Sequence, residues 1–573
     1  MAQAQSGVNM LAQDPLQCFT RLEGAPRVGY SVVDVDAPGF AKAWRITTRE
    51  LAPNAWDLRL RCFATGAANK GDLGVATFWI RSTRETNALA HFVVEQGADP
   101  YSKSVAHTSL ASREWRKVQA PFRWDRDYNG ATSGASSYNL SFWVNYQTQE
   151  LEVGGFELLN YGPNVDPATL DLSGYPYPGA EAAAPWRAAA AARIEKHRKA
   201  DVAVTVKDAE GLPVAGAPVR VRMKRHAFGF ATAVDCATLT GGSAESQRYR
   251  EELLRNFNKV VIENDLKWPF FETWAAGRFD PAEAWLRQNG FPIHGHVLVW
   301  PGSRNLPVDV QNMLRQSPIN KDALRQRINT HIDEMLNFSR GRLIEWDVLN
   351  EPFDNKDVQA ALGDAEMAEW FKRARQRDPN VLLFLNDYDI LEGGGFSLLH
   401  LNFTRQALKF IQEHGGPVDG FGFQSHFSSS LTDPERAYEI FDQFGREVDY
   451  LQVTEFDVSG VDAETRARYT RDYLTLAFSH PQMNGFTVWG FWAGRHWRPE
   501  AAMIGLDWQP TKSLAAWRDL IYREWWTDVE GLTGEDGVFR TRGFLGEYEV
   551  ESVGLTKPLV LQRGAENTIE LKP

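Results

Sequence analysis

Glu351 closes the run Trp346-Asp347-Val348-Leu349-Asn350-Glu351-Pro352, and Glu455 lies in Leu451-Gln452-Val453-Thr454-Glu455-Phe456-Asp457. Each run is apolar and β-branched enough to read as a buried strand with a carboxyl group at its end. A carboxyl there is unfavourable unless it is hydrogen-bonded or employed in chemistry. Two such groups can share the work of one reaction, one protonating a leaving oxygen while the other stays ionised at the anomeric carbon. The pair therefore points to cleavage of a glycosidic bond, with Glu351 as acid/base and Glu455 as nucleophile. Asn350 is placed to bond a sugar 2-hydroxyl. His426 is placed to donate to Glu455 and keep it ionised, while the charge on Glu455 raises the pKa of Glu351. Asp347 and Asp457 read as supports that orient their neighbours.

The elements that must carry these groups alternate between apolar strand-like runs and helical patterns from about residue 226 onward. Eight strand candidates appear, at 226–234, 258–264, 292–300, 343–351, 380–388, 420–426, 449–457 and 485–492, with helices such as 321–338 and 366–376 between them. This is the pattern of a (β/α)8 barrel. The polar residues fall at the C-terminal strand ends. The second strand ends with Glu263-Asn264, followed by Lys267-Trp268, and the third ends at Trp300. The fourth ends with Asn350-Glu351, the fifth with Asn386-Asp387-Tyr388 and the sixth with Gln424-Ser425-His426. The seventh carries Glu455 and Asp457, and the eighth Trp489 and Trp492. Barrel active sites lie on that face. Strand periodicity predicts that Asp347 and Glu351 point the same way, as do Glu455 with Asp457 and Gln424 with His426.

Asn350-Glu351 with Thr454-Glu455-Phe456-Asp457 resembles the retaining barrel glycosidases of clan A. Glu263-Asn264 with Lys267-Trp268, Gly295-His296-Val297-Leu298-Val299-Trp300, Gly422-Phe423-Gln424-Ser425-His426, and Val488-Trp489-Gly490 with Trp497-Arg498 narrow the resemblance to glycoside hydrolase family 10, the endo-β-1,4-xylanases. It covers about 226–526. It implies a retaining endo-β-1,4-xylanase without cofactor or metal, acting on xylan. The positions matching Glu263, Asn264 and Lys267 would bind the glycone side. Those matching Gln424 and His426 would contact the nucleophile and its sugar, and those matching Trp489 and Trp497 would wall the cleft. Trp300 and Asn350 complete the substrate-binding set. One position departs from the family: Pro301 stands where a sugar-binding His usually follows the Trp, and proline has no donor. Ser303, Arg304 or Asn305 could replace that contact, or the substrate could be another β-linked glycan or a decorated xylan. A non-catalytic sugar-binding barrel is the remaining alternative, and intact carboxylates with Asn350 speak against it.

The remaining sequence divides into a leader at 1–20, an all-β sandwich at 21–162, and a linker with a helix at 163–200 that includes Trp186 to Lys199. A β-hairpin follows at 201–224, then the barrel at 225–526 and β-strands at 527–573. The hairpin and the C-terminal strands are expected to join in one small sandwich. Through Phe142-Trp143-Val144-Asn145-Tyr146 and Glu152 to Leu158, the N-terminal sandwich loosely resembles carbohydrate-binding modules. That leaves two readings: polysaccharide targeting through exposed aromatics, or a structural module with core aromatics. The chain of 573 residues has a formal charge of −12, which lacks the basic footprint of a nucleic-acid or anionic-membrane partner. Its 20 Trp, 33 Phe and 16 Tyr suit stacking on sugars as well as a large core. Cys18 and Cys62 could pair or stay as buried thiols. Met1-Ala2-Gln3-Ala4-Gln5-Ser6 fits either a cytoplasmic start or a mature chain whose signal was removed; with the xylanase resemblance, a secreted or periplasmic protein is expected.

Overall fold

The computed structural model describes residues 7–573 apart from 12–13, 166–169, 171–176 and 429, and only the backbone at 274–276. Parts of the expected leader and linker lie outside the described residues. Two compact units are present. One takes the chain to Ala184 together with Glu392–Leu398 and Ser430–Ala437; the other takes Pro185–Leu391, Leu399–Ser429 and Tyr438–Pro573.

The first unit is a β-sandwich of two antiparallel sheets. One runs in the order Arg116–Arg123, Leu73–Ser82, Gln149–Asn160, Phe40–Thr48, Val28–Ala37. The other runs Arg21–Glu23, Arg59–Ala64, Gly134–Trp143, Ala88–Gly97, Lys103–Ala111. Period-two alternation fills the space between them: in Leu73–Ser82 the buried Ala76, Phe78 and Ile80 join the core while Thr77, Trp79 and Arg81 are only part-buried. Phe142, Trp143, Tyr146 and Phe156, in the stretch that carried the module resemblance, are all buried. The described parts of the leader form short regular elements. Val8–Asn9 pairs with Leu159 and Asn160, Pro15–Cys18 forms a helical turn capped by Asp14, and Phe19 is fully buried. Elements this short have no periodicity to read. Cys18 and Cys62 form a disulfide across a sequence separation of 44. Closing a loop of that length restricts the unfolded chain by roughly 4 kcal/mol in the chain-entropy picture.

In the second unit, helix Pro185–Arg198 buries Trp186, Ala190 and Ile194 at helical spacing. It is tied down by Arg187 donating to both Asp472 oxygens and by Arg198 donating to the backbone carbonyls of Phe478, His480 and Met483. The expected hairpin is corrected: its arms do not form a paired ladder. Lys199–Val206 pairs with Val538–Phe544 and Thr568–Leu571, whereas Pro218–His226 pairs with Asp528–Leu532 and Gly546–Ser552. The arms thus lie in separate sheets, each joined by C-terminal strands. Both arms have a buried apolar row, Val202, Val204 and Val206 on one and Val219, Val221 and Met223 on the other. Each row needs a cover, which a flat two-stranded ribbon cannot supply.

Eight parallel strands form the barrel, labelled β1 (Gly229–Val234), β2 (Lys259–Ile262), β3 (Ile293–Gly295), β4 (Glu345–Asn350), β5 (Leu382–Asp387), β6 (Gly420–Phe423), β7 (Tyr450–Val458) and β8 (Met483–Val488). They pair in sequence order, β1 pairs with β8, and β6 pairs with β7, so the sheet closes on itself. Helices Lys321–Ser339 and Ala365–Arg377 lie between strands, within a residue of their expected ends. The third strand is shorter than expected, because Leu298 and Val299 continue past Gly295 as single hydrogen bonds to Asp347 and Val348.

Candidate active site

The backbone departs from regular strand alternation at two places on the barrel rim. β4 carries an irregularity between Asp347 and Leu349, and Glu351 leaves the strand with φ 52°. Asp347 and Glu351 therefore do not share a direction by simple alternation. Asn350 and Glu351, although adjacent, both reach the Gln424 amide. Likewise Ser425 has φ 69°, which breaks the strand between Gln424 and His426. Gln424 then reaches Glu351 while His426 reaches Glu455. A left-handed backbone at non-glycine residues is strained and concentrates at functional sites.

Glu351 is held through both oxygens. Gln424 Nε2 donates to Oε1 at 2.9 Å; Trp300 Nε1 and Asn355 Nδ2 both donate to Oε2 at 3.1 Å. Glu455 is 5% exposed and accepts from Asn386 Nδ2 at 2.9 Å on Oε1. His426 Nε2 lies 3.1 Å from Glu455 Oε2, and its Nδ1 lies 3.0 Å from Asp457 Oδ2. Asn386 Nδ2 and Gln424 Nε2 also both donate to Asn350 Oδ1, at 3.0 and 3.3 Å. The two carboxyl groups are thus linked by a bridge of three amides. Asn350 Nδ2 is buried with no hydrogen-bond partner among the described residues. Because its Oδ1 takes both donors, that nitrogen is left to donate to a ligand.

The surroundings drive the carboxyl groups apart. Burial raises Glu351, and the charges of Glu455 and Asp387 raise it further, so it sits above the usual carboxylate range despite the Gln424 hydrogen bond. Burial works to raise Glu455 as well. The hydrogen bond from His426, with the positive charges around it, overrides burial and holds Glu455 below its ordinary value. Opposite shifts in two carboxyls of one site separate an acid from an anion.

The other expected residues line the same face. Burial raises Glu263, partly offset by Lys267. Burial lowers Lys267, whose Nζ donates to Asn264 Oδ1 at 2.9 Å and lies over the Trp300 and Trp489 rings. Trp497 is 53% exposed while its Nε1 donates to Asp457 Oδ2 at 2.6 Å. Asp457 also accepts from Arg498 at 3.1 Å. Asp347 lies against the buried His296 and His294 rings, at 2.8 and 3.0 Å. Of the substitutes considered for Pro301, Asn305 gives its Nδ2 to Asn355, and the Ser303 backbone N–H gives to Asp357.

Sequence reasoning leaves three contributors out of the site: Asn386, His296 and Asn355. His296 stands in the run that ends at Trp300, and Asn386 opens the polar end of the fifth strand, so both lie on the strand-end face that the sequence marks. Asn355 lies in a loop four residues after Glu351, where no periodic signal exists.

The charge network sets an alkaline limit. Burial opposes the charged ring of His426, but Asp457 and Glu455 push it up to about 10; Asp347 and Glu345 likewise raise His294 to about 9. A folded-state pKa above the ordinary histidine value stabilises the fold below about pH 6.5, and that contribution fades as pH rises through the folded value. The unfolding temperature should therefore fall between pH 7 and 10, with both rings still protonated at pH 8 by NMR. Rings that titrate near 6.5 would contradict the network.

A family model for glycosyl hydrolase family 10 matches residues 220–515. The chain is 28% identical over 370 residues to anti-sigma-I factor RsgI6 of Acetivibrio thermocellus, covering 64% of this chain and 46% of that protein. It is 28% identical over 375 residues to endo-1,4-beta-xylanase 1 of Arabidopsis thaliana, covering 65% of this chain and 38% of that one. The chain spans less than half the length of these two relatives. Among solved structures it is similar to xylanase 10B from Thermotoga petrophila in complex with xylobiose, with TM-score 0.47 and 22% identity, covering 52% of this chain and 95% of that one.

Proposed function

Because this chain belongs to glycosyl hydrolase family 10, we propose that it is a retaining endo-β-1,4-xylanase that cuts inside a xylan backbone. The observation that carries the reading is the carboxyl pair: Glu351 shifted up, Glu455 shifted down, and both bonded to one amide bridge. In the first step Glu455 attacks the anomeric carbon, the bond to the leaving oxygen breaks, and Glu351 gives that oxygen its proton. In the second step Glu351 takes a proton from water, and the water oxygen displaces Glu455 from the same carbon. Two inversions give net retention, which requires the carboxyl groups to stand about 5–5.5 Å apart. His426, itself bonded to Asp457, keeps Glu455 anionic. Asn350 Nδ2 donates to the sugar 2-hydroxyl, an interaction that strengthens as charge develops at the anomeric carbon. Glu263, Asn264 and Lys267 hold the glycone side, and Trp300, Trp489 and Trp497 supply faces for sugar rings. The Cys18–Cys62 disulfide supports an oxidising, extracytoplasmic compartment, and among the described residues no helix is long and apolar enough to cross a membrane.

A panel of glucuronoxylan, arabinoxylan and mixed-linkage β-glucan tests the substrate. Rapid loss of viscosity with release of short xylo-oligosaccharides is the expected result. Activity confined to the glucan would favour the alternative reading that Pro301 raises.

A further inference from the structure

The proposed mechanism does not use Pro301, and the turn that Pro301 begins leads back to the acid/base. Resting on that assignment of Glu351, we propose that Asn355 is a positioning residue that fixes which oxygen of Glu351 carries the transferable proton, and that the Pro301–Asn305 turn exists to aim it.

An ionised carboxylate oxygen has about two acceptor sites. Oε2 of Glu351 receives two N–H donors, Trp300 Nε1 and Asn355 Nδ2, each at 3.1 Å. Oε1 receives one, from Gln424 at 2.9 Å. The open site is therefore on Oε1, on the side of the amide bridge to Glu455. The proton sits there in the acid form. It passes from Oε1 to the leaving oxygen as the glycosidic bond breaks, and a proton from water returns to Oε1 in the second step.

Asn355 can do this only if its amide cannot turn. It is 3% exposed, its backbone N–H bonds to the Glu351 carbonyl at 3.1 Å, and its Oδ1 accepts from Asn305 Nδ2 at 2.9 Å. With Oδ1 so occupied, Nδ2 faces Glu351. The turn makes room for this arrangement. A Cβ on Gly302 would come within 2.2 Å of Asn355 Oδ1, and Pro301 ties the turn to helix Asp357–Leu362, just after Asn355, by accepting from the Val358 N–H at 3.2 Å.

Asn355→Ala removes one donor to the ionised carboxylate and frees a site on Oε2. The carboxylate becomes harder to form, so the alkaline limb of kcat/KM should move up by about one pH unit. A proton placed on Oε2 is misdirected. Hydrolysis of xylan, whose leaving oxygen needs protonation, should therefore fall about tenfold or more, while an aryl xylobioside with a good leaving group loses little. Asn305→Ala, which only releases the amide, should do the same more weakly, and it keeps the test available if Asn355→Ala fails to fold. Equal losses on both substrates with an unmoved alkaline limb would indicate a merely structural role and overturn the proposal, as would wild-type behaviour. Glu351→Ala separates this from the parent reading: if that variant keeps the wild-type limb, Glu351 is not the acid and both fall.

Discussion

Replacing Glu455 with Gln is expected to abolish turnover, with kcat on xylan falling on the order of 10⁴-fold or more. The amide keeps the side-chain volume but is a poor nucleophile, so no glycosyl ester forms and neither half of the reaction proceeds. Most electrostatic consequences should stay local. Glu455 is buried against His426 and Asn386, so the substitution removes one of the two carboxylates, Glu455 and Asp457, that raise the His426 ring. The high pKa of the His426 ring, now about 10, should fall. The circular dichroism spectrum should remain that of the parent. Activity near the parent level would remove Glu455 from the chemistry.

Glu351→Ala should separate two kinds of substrate. A xylan leaving group is a sugar hydroxyl and needs a proton, so kcat/KM on xylan should drop by about 10²–10⁴-fold. An aryl xylobioside with an acidic phenol needs little assistance in the first step. There the loss should appear in the second step, which lacks its base, and a burst of phenol equal to the enzyme concentration should precede slow turnover. The raised pKa of Glu351 is the physical reason to expect this division. Burial and the Glu455 charge favour its protonated form, and a group biased toward holding a proton matters most where a proton must be given. A uniform loss on both substrates without a burst would argue that Glu351 only shapes the cleft.

The sequence was most readable where a residue's role follows from its place on a regular strand. Glu455 and Asp457 sit two apart on β7 and both meet His426, as alternation requires. Alternation gives no guide where the backbone leaves the strand, at Glu351 with φ 52° and Ser425 with φ 69°. These conformations are fixed by surrounding packing and hydrogen bonds that no local pattern encodes. The same limit explains Asn355. Its position depends on contacts with Asn305 and Gly302, about fifty residues earlier in the chain, and only the closed barrel brings those together. The two strand arms at 199–226 were assigned correctly as strands and to C-terminal partners more than three hundred residues downstream, but not to separate sheets, because two apolar arms joined by a short polar turn read locally as a hairpin. The short elements within the leader went unread because a two-residue strand and a four-residue helix are too short to show a period.

The proposed chemistry turns on Glu455 forming a covalent ester with the sugar, and that ester can be trapped. A 2-deoxy-2-fluoro-xylobioside with an activated leaving group slows both steps, the second more than the first, so the ester should accumulate. Intact-mass measurement should show one fluoro-xylobiosyl group per chain, and peptide mapping should place it on Glu455. Attachment to another residue, or release of an inverted product with no labelled protein, would contradict a Glu455 nucleophile.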